Sequence, residues 1–301
     1  MRLFFKTTTL QTQTVTPVQP PAVNNLYTYI CSKLNTLYDK REAEALARII
    51  IEDILHMSLT KVLAGIERYL TAEQKQTLTQ VIVRLMHHEP IQYITGKTDF
   101  CDLPITVTPS VLIPRPETEQ LVEIATDVFD AEDTVSIMDA CTGSGCIAIA
   151  IKHLRPCWDV HACDISAEAL KIAHFNAEYN DTEVTFSQFD LLTGNYPPTR
   201  YNMITSNPPY VMCKEKGSMD PNVLEHEPQL ALFVDDNNPL VFYDALATWG
   251  KQALHTDGYL LVEINHLLSK ETAALLESHN YTEVTTIHDS FDKPRFIICK
   301  K

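Results

Sequence analysis

Asn207-Pro208-Pro209-Tyr210 follows the apolar run Tyr201 to Thr205, so it reads as a stiff loop at the carboxyl end of a buried strand. Each proline locks φ and lacks an N–H, and each drives the residue before it into extended geometry, which holds Asn207 and Pro208 out of the helical region. The Asn207 side-chain oxygen and the Pro208 carbonyl then converge as two fixed acceptors for the two N–H bonds of one planar NH2 group. Such a group is an amide or an exocyclic amine, whose delocalised lone pair is a poor nucleophile. Two acceptors help it pyramidalise. Tyr210 adds an aromatic face for a flat substrate group. The alternative is a proline-rich turn with asparagine as its initiator.

The elements that must hold this loop lie on either side of it. From Glu117 onward, helical stretches alternate with short β-rich runs, the pattern of a parallel sheet covered on both faces. Strands are predicted near Val135 to Asp139, Val160 to Asp164, Val184 to Phe189, Tyr201 to Thr205 and Tyr259 to Ile264. Two further runs, Glu283 to His288 and Arg295 to Cys299, lie close together and are predicted to pair antiparallel at the sheet edge. The first strand ends in Asp139-Ala140-Cys141-Thr142-Gly143-Ser144-Gly145 and passes into the apolar helix Cys146 to Leu154. Glycines there let the backbone turn tightly and approach a ligand closely. Asp164 ends the second strand at about the 20-residue spacing at which an acid can accept from both ribose hydroxyls. Gly143-x-Gly145-x-x-Ala148 with that acid also satisfies a dinucleotide fingerprint, so the loop alone leaves NAD open, as it leaves a turn that serves only packing. Topology decides more. If the first and fourth strands are neighbours, the glycine loop and Asn207 face one crevice outside the strand ends. A nicotinamide enzyme has no use for Asn-Pro-Pro-Tyr there, whereas a methyl donor does.

The remaining sequence bounds the partners. At 301 residues the chain is long enough for two domains. Its formal charge of −15 argues against a protein that wraps a phosphate backbone. Eight cysteines form no Cys-x-x-Cys pair and read as reduced, mostly buried thiols. Residues 1–22, rich in Thr, Gln and Pro, are read as a mobile extension without a signal-peptide core. No stretch has the length and apolarity of a membrane span, so a soluble cytoplasmic protein is expected. Residues 23–90 read as a small helical domain. Asp39-x-x-Glu42 resembles a capping box opening a helix with Leu46, Ile50, Ile54 and Met57 near one face, and Thr71-x-x-Gln74 opens another with Leu78, Ile82 and Leu85. His87-His88-Glu89 is better read as cations at a helix end than as a metal site, and no metal is expected. Residues 91–116 suit a linker with a small hairpin, and residues 117–301 form the sheet domain.

The glycine loop, Asp164 and Asn207-Pro208-Pro209-Tyr210 together resemble the class I S-adenosylmethionine-dependent amino-methyltransferases, Rossmann-like α/β folds with a seven-stranded, mostly parallel sheet. The tetrapeptide is shared by adenine-N6, guanine-N2 and glutamine-N5 enzymes, so it names a nucleophile type. The linker is sharper. Pro114-Arg115-Pro116-Glu117-Thr118-Glu119 resembles the hallmark of the PrmC/HemK family of release factor glutamine methyltransferases. Tyr93-Ile94-Thr95-Gly96, Glu227-Pro228 with Ala231-Leu232, and Asp292-x-x-Arg295 fit it as well. The resemblance covers roughly residues 24–301, and its motifs are highly specific in combination. Cys141 stands where many members have glycine, Asn265 follows Glu263-Ile264 where glycine is more usual, and residues 1–22 exceed the pattern.

A monomer is expected, and the resemblance implies an enzyme methylating the Gln of the Gly-Gly-Gln motif in class I peptide chain release factors on its side-chain amide nitrogen. It implies that Cys141, Thr142, Gly143, Ser144 and Gly145 cradle the methionine part of the donor, that Asp164 holds the ribose, and that Asp190 and Leu191 flank the adenine. Asn207, Pro208, Pro209 and Tyr210 would hold the glutamine amide, with Asn207 also beside the donor. Arg115 and Glu119 would shape the linker wall. The helical domain would recognise the protein substrate, because one side chain offers too little area for specificity. Three rivals remain at this point. A sibling enzyme methylates a glutamine of a large-subunit ribosomal protein but has a Ser-Pro version of the linker motif. A nucleic-acid amino-methyltransferase would want a basic recognition region. A catalytically silent binding protein would not need the tetrapeptide.

Overall fold

The computed structural model describes residues 26–301 apart from 67–68, 131–132, 195 and 197; the expected extension over residues 1–22 lies outside the described residues. Two compact units form, the first ending at His87 and the second running from His88 to Lys301.

In the first unit, α1 (Leu26–Leu34), α2 (Lys40–Ile49), α3 (Leu59–Leu63) and α4 (Ala72–Met86) pack around Ile30, Leu34, Ile50, Leu55, Leu78 and Leu85. Asp39 caps α2 by accepting from the Arg41 and Glu42 N–H groups. Thr71 and Gln74 form both halves of a capping box on α4. The face predicted for α2 breaks where a π turn, Ile50–Ile54, inserts one extra residue, seen in the Leu55 N–H bond to the Ile50 carbonyl. The inserted residue carries burial from Ile54 to Leu55. On α4, Val81 is buried and Ile82 only half-buried. His87 ends α4, with its ring Nδ1 2.8 Å from the Val83 carbonyl oxygen. Among the described residues no three His, Cys, Asp or Glu side chains gather as metal ligands would.

The second unit opens with α5 (Ile91–Thr95) and a hairpin of β1 (Lys97–Phe100) and β2 (Leu103–Thr106). After α6 (Pro116–Asp127) come β3 (Ser136–Ala140), α7 (Cys146–Leu154), β4 (Asp159–Asp164), α8 (Ala167–Tyr179), β5 (Thr185–Gln188) and β6 (Tyr201–Ser206). A short parallel pair, β7 (Val211–Met212) with β8 (Phe233–Val234), brackets α9 (Pro221–His226) and α10 (Gln229–Leu232). Then follow α11 (Val241–Ala253), β9 (Leu254–Glu263), α12 (Ser269–Ser278), β10 (Thr282–His288) and β11 (Pro294–Lys300). The seven-stranded sheet has the order β10-β11-β9-β6-β3-β4-β5. Strands β9, β6, β3, β4 and β5 run parallel, and the predicted C-terminal hairpin pairs antiparallel at the edge.

Successive strand residues point to opposite faces, and the cores follow that period. Ile137, Met203, Leu261 and Phe296 enter the layer beneath α6 and α7, while Met138, Ile204, Val262 and Ile297 enter the layer beneath α11. The fourth sheet strand returns beside the first, with Ala140 opposite Ser206, so winding reverses between β3 and β6. A ligand crevice belongs at their carboxyl ends. Strand β9 starts five residues before the predicted Tyr259, and a bulge against β6 takes up Asp257, whose φ is +64°.

Asn176 on α8 ties β2 to the glycine loop. It is wholly buried, accepts from the Thr106 N–H, and donates to the Thr106 and Ser144 carbonyls. Asn176→Ala should lower unfolding free energy by about 2 kcal/mol, because buried backbone groups lose partners. Urea denaturation checks this.

Candidate active site

The glycine loop takes its shape from three left-handed residues, Cys141 at φ +59°, Gly143 at +54° and Gly145 at +81°. Cys141 therefore keeps a backbone conformation that glycine adopts without strain. Burial pushes its thiol well above the ordinary range, consistent with a packing group and not a nucleophile. Asp139 bolts the loop to the sheet. Wholly buried, its carboxylate accepts from the Thr142 hydroxyl at 2.5 Å and the Thr205 hydroxyl at 3.0 Å. Burial pushes its pKa up to about 7 against the pull of those hydroxyls. The Ser206 hydroxyl donates to the Ala140 carbonyl at 2.8 Å, closing the junction of β3 and β6.

Outside these strand ends lies a cavity of about 430 Å³. Cys141, Thr142, Gly143, Ser144, Asp164, Asp190, Leu191 and Asn207 all line it. Gly145 does not. It starts α7 against α8, where a Cβ would meet the Ala173 Cβ at 3.0 Å and the Ile149 Cδ1 at 3.1 Å. Its smallness serves helix packing. A Cβ on Gly143 would meet nothing within 4 Å, so this backbone is open to a ligand.

Asp164 accepts from the Gly143 N–H at 2.9 Å and the Ser166 N–H at 2.8 Å, one on each oxygen. Each oxygen keeps acceptor capacity for a sugar hydroxyl. Burial raises its pKa while those N–H groups pull it back. Asp190 caps the turn Leu191–Thr193 by accepting from the Leu192 N–H. Phe189, Leu191, Leu192 and Ile165 supply apolar walls that suit a flat base. The aromatic wall residue was missed in the sequence, although it adjoins the predicted Asp190.

On the other side of the Asn-Pro-Pro loop lies a second cavity of about 270 Å³, lined by Asn207, Pro208 and Tyr210 with Val211 and Met219. Pro209 faces the first cavity. Leu112, Arg115, Asn207 and Ala231 belong to both. Asn207 thus stands in a shared wall. The linker motif explains how Arg115 arrives there. Pro116 sets Arg115 extended (φ −98°, ψ 141°) and begins α6 at its first position. Arg115 then pairs with the nearly inaccessible Glu227 at 2.6 Å. Glu119 instead accepts from the Cys101 N–H in the β1–β2 turn and lines neither cavity. Of the expected wall of Arg115 and Glu119, only Arg115 lines the cavities, held in place by Glu227.

Behind the loop is a buried polar network. Asn207 Nδ2 donates to Thr118 Oγ1 at 3.3 Å, the Thr118 hydroxyl donates to Glu263 Oε2 at 2.7 Å, and the Tyr210 hydroxyl donates to Glu263 Oε1 at 3.0 Å. Asn265 Nδ2 donates to the Tyr210 carbonyl and to Glu215. Asparagine at this position clamps the far end of the loop. Glu263 and Thr118 stand in quoted motifs but were given no role in the sequence, although a charged residue ending Leu260-Leu261-Val262 was a signal of a buried acid.

The sheet order, the crevice at the winding reversal and the glycine loop define an S-adenosylmethionine-dependent methyltransferase of Rossmann-like fold. Its residues fit the donor: open backbone at Gly143, spare acceptors on Asp164 and an apolar slot. Residues 26–96 match the PrmC N-terminal domain, and residues 119–226 the methyltransferase small domain. The release factor glutamine methyltransferase of Bacteroides thetaiotaomicron is 40% identical over 280 residues, covering 93% of this chain and 100% of that one. That of Flavobacterium psychrophilum is 37% identical, covering 91% and 98%. The chain belongs to the release factor glutamine methyltransferase family. A solved methyltransferase from Pyrococcus furiosus shares the fold at TM-score 0.50 and 16% identity, covering 74% of this chain and 98% of that one. No described helix is long and apolar enough to cross a membrane.

Proposed function

We propose that this enzyme methylates the side-chain amide nitrogen of the Gln in the Gly-Gly-Gln motif of class I peptide chain release factors. The observation that carries the reading is Asn207 in the wall between the two cavities, where one side chain can meet both the donor's methyl and the acceptor's nitrogen. The Cys141 to Ser144 loop holds the methionine part of S-adenosylmethionine, Asp164 takes the ribose hydroxyls, and Asp190 with Leu191 and Phe189 bounds the adenine. Bound there, the donor supplies an electrophilic sulfonium methyl. Asn207 Oδ1 and the Pro208 carbonyl accept the two N–H bonds of the glutamine amide and aim its nitrogen along the transfer line. The nitrogen becomes acidic only after gaining the methyl, so its proton leaves late and no strong base is required.

The names of its relatives and the linker motif at Arg115 to Glu119 favour a release factor over a ribosomal protein. A net charge of −15 weighs against nucleic acid as substrate. We take the enzyme to be monomeric and cytoplasmic, with residues 26–87 recognising the protein substrate. Incubation with labelled S-adenosylmethionine should label purified release factor carrying Gly-Gly-Gln and leave its Gly-Gly-Ala version unlabelled. Label on neither protein would refute the assignment.

A further inference from the structure

Glu263 is 1% exposed at the end of β9 and lines neither cavity. A buried carboxylate is costly unless it has work that requires it. When ionised it can only accept hydrogen bonds, so it takes the single hydroxyl proton of Thr118. Thr118 Oγ1 then has only lone pairs to offer Asn207. Of the two ends of the Asn207 amide, only Nδ2 can face a lone pair, as the 3.3 Å contact shows, and Oδ1 is turned away from Thr118. The same carboxylate fixes Tyr210 at the other end of the loop.

We propose that Glu263 is a positioning residue for methyl transfer, acting through Thr118 to keep the Asn207 amide with its oxygen toward the acceptor. This rests on the reading of Asn207 as the acceptor's anchor. A flipped amide would present N–H to N–H and repel the glutamine NH2. Protonation of Glu263 reverses the relay: its new O–H can donate to Thr118, whose proton then seeks Asn207 Oδ1. Burial raises the Glu263 pKa, opposed by the Thr118 and Tyr210 hydroxyls and by Arg295, with Glu117 adding to the rise. Arg295 is held by Asp289 at 2.9 Å, and Tyr243 bonds the Glu263 backbone carbonyl. Among these neighbours Arg295 stays charged, and Tyr210 and Tyr243 stay neutral, their pKa values raised. Asp139, pushed up to about 7, and Asp164, raised by burial, also titrate in acid, but they act through the glycine loop and the donor and not through Thr118.

The test uses the full-length enzyme with release factor as acceptor. Thr118→Val should lower kcat about tenfold, the worth of roughly one well-placed hydrogen bond, with donor affinity retained and Thr118→Ser restoring the rate. It should also relax recognition. A Gly-Gly-Glu release factor, which offers acceptors in place of the NH2, should inhibit Thr118→Val about tenfold better than it inhibits the parent enzyme. Glu263→Gln carries a second arm. At saturating donor the parent kcat should fall as pH drops, and Glu263→Gln should lose the part of that fall that Glu263 causes while keeping the part due to Asp139 and Asp164. Label on the parent's acceptor combined with an unchanged Gln-over-Glu preference in Thr118→Val overturns the proposal alone, as does an acid limb that Glu263→Gln leaves unchanged in depth and midpoint. No label even with the parent enzyme overturns the proposal together with the function on which it rests. Should Thr118→Val fail to fold, the Glu263→Gln profile decides.

Discussion

Asn207→Ala should lower kcat about a hundredfold, the usual loss when one preorganised polar contact at a reacting group is removed. The two prolines that follow keep the loop extended without the side chain, so the pocket keeps its shape and loses an acceptor. Donor binding should persist, because Cys141 to Ser144, Asp164, Asp190 and Leu191 contact that cavity independently of Asn207. Single-turnover rates with calorimetric donor titration separate the two effects. A near-normal kcat in Asn207→Ala would remove the two-acceptor account.

Gly145→Ala should cost about 3 kcal/mol of stability. Roughly half comes from forcing a side chain into the left-handed region and the rest from overpacking against Ala173 and Ile149. For a unit of this size the thermal midpoint should fall on the order of 10 °C. Gly143→Ala is the informative partner, since it shares positive φ but opens onto empty space. Its added methyl should weaken donor binding with the smaller stability loss. Calorimetric melts and donor titrations of both variants would show two glycines of one loop failing in different ways. Equal melting temperatures would contradict this division of roles.

Much of the architecture was legible because it depends on short-range pattern. Runs such as Ile137 to Ala140 and Met203 to Thr205 declare buried strands by composition, and Asp39 and Thr71 declare helix starts by local hydrogen bonding. The positions that line the cavities were legible where a motif fixes the backbone, as at Gly143 and Pro208. What stayed hidden depends on distant partners. Thr118 meets Glu263 across 145 positions, and Arg115 meets Glu227 across 112, distances at which spacing carries no signal. Proximity in sequence misled for Glu119, which shares a motif with Arg115 but sits on a helix facing the hairpin. Gly145 was read by its motif, whereas its neighbours on α8 decide what it does. The π turn at Ile50–Ile54 shifted a face that helical periodicity alone places one residue away.

The wall shared by the two cavities ties their occupants together thermodynamically. Leu112, Arg115, Asn207 and Ala231 each face both spaces, so a ligand that settles their rotamers on one side changes the free energy of filling the other. Linkage makes that effect reciprocal: whatever factor the donor adds to acceptor affinity, the acceptor returns to the donor. The Arg115–Glu227 pair anchors one member of that wall, and Asn207, through Thr118, anchors another. On the proposed reading, any cooperativity between donor and acceptor would need no domain motion, because four side chains line both spaces.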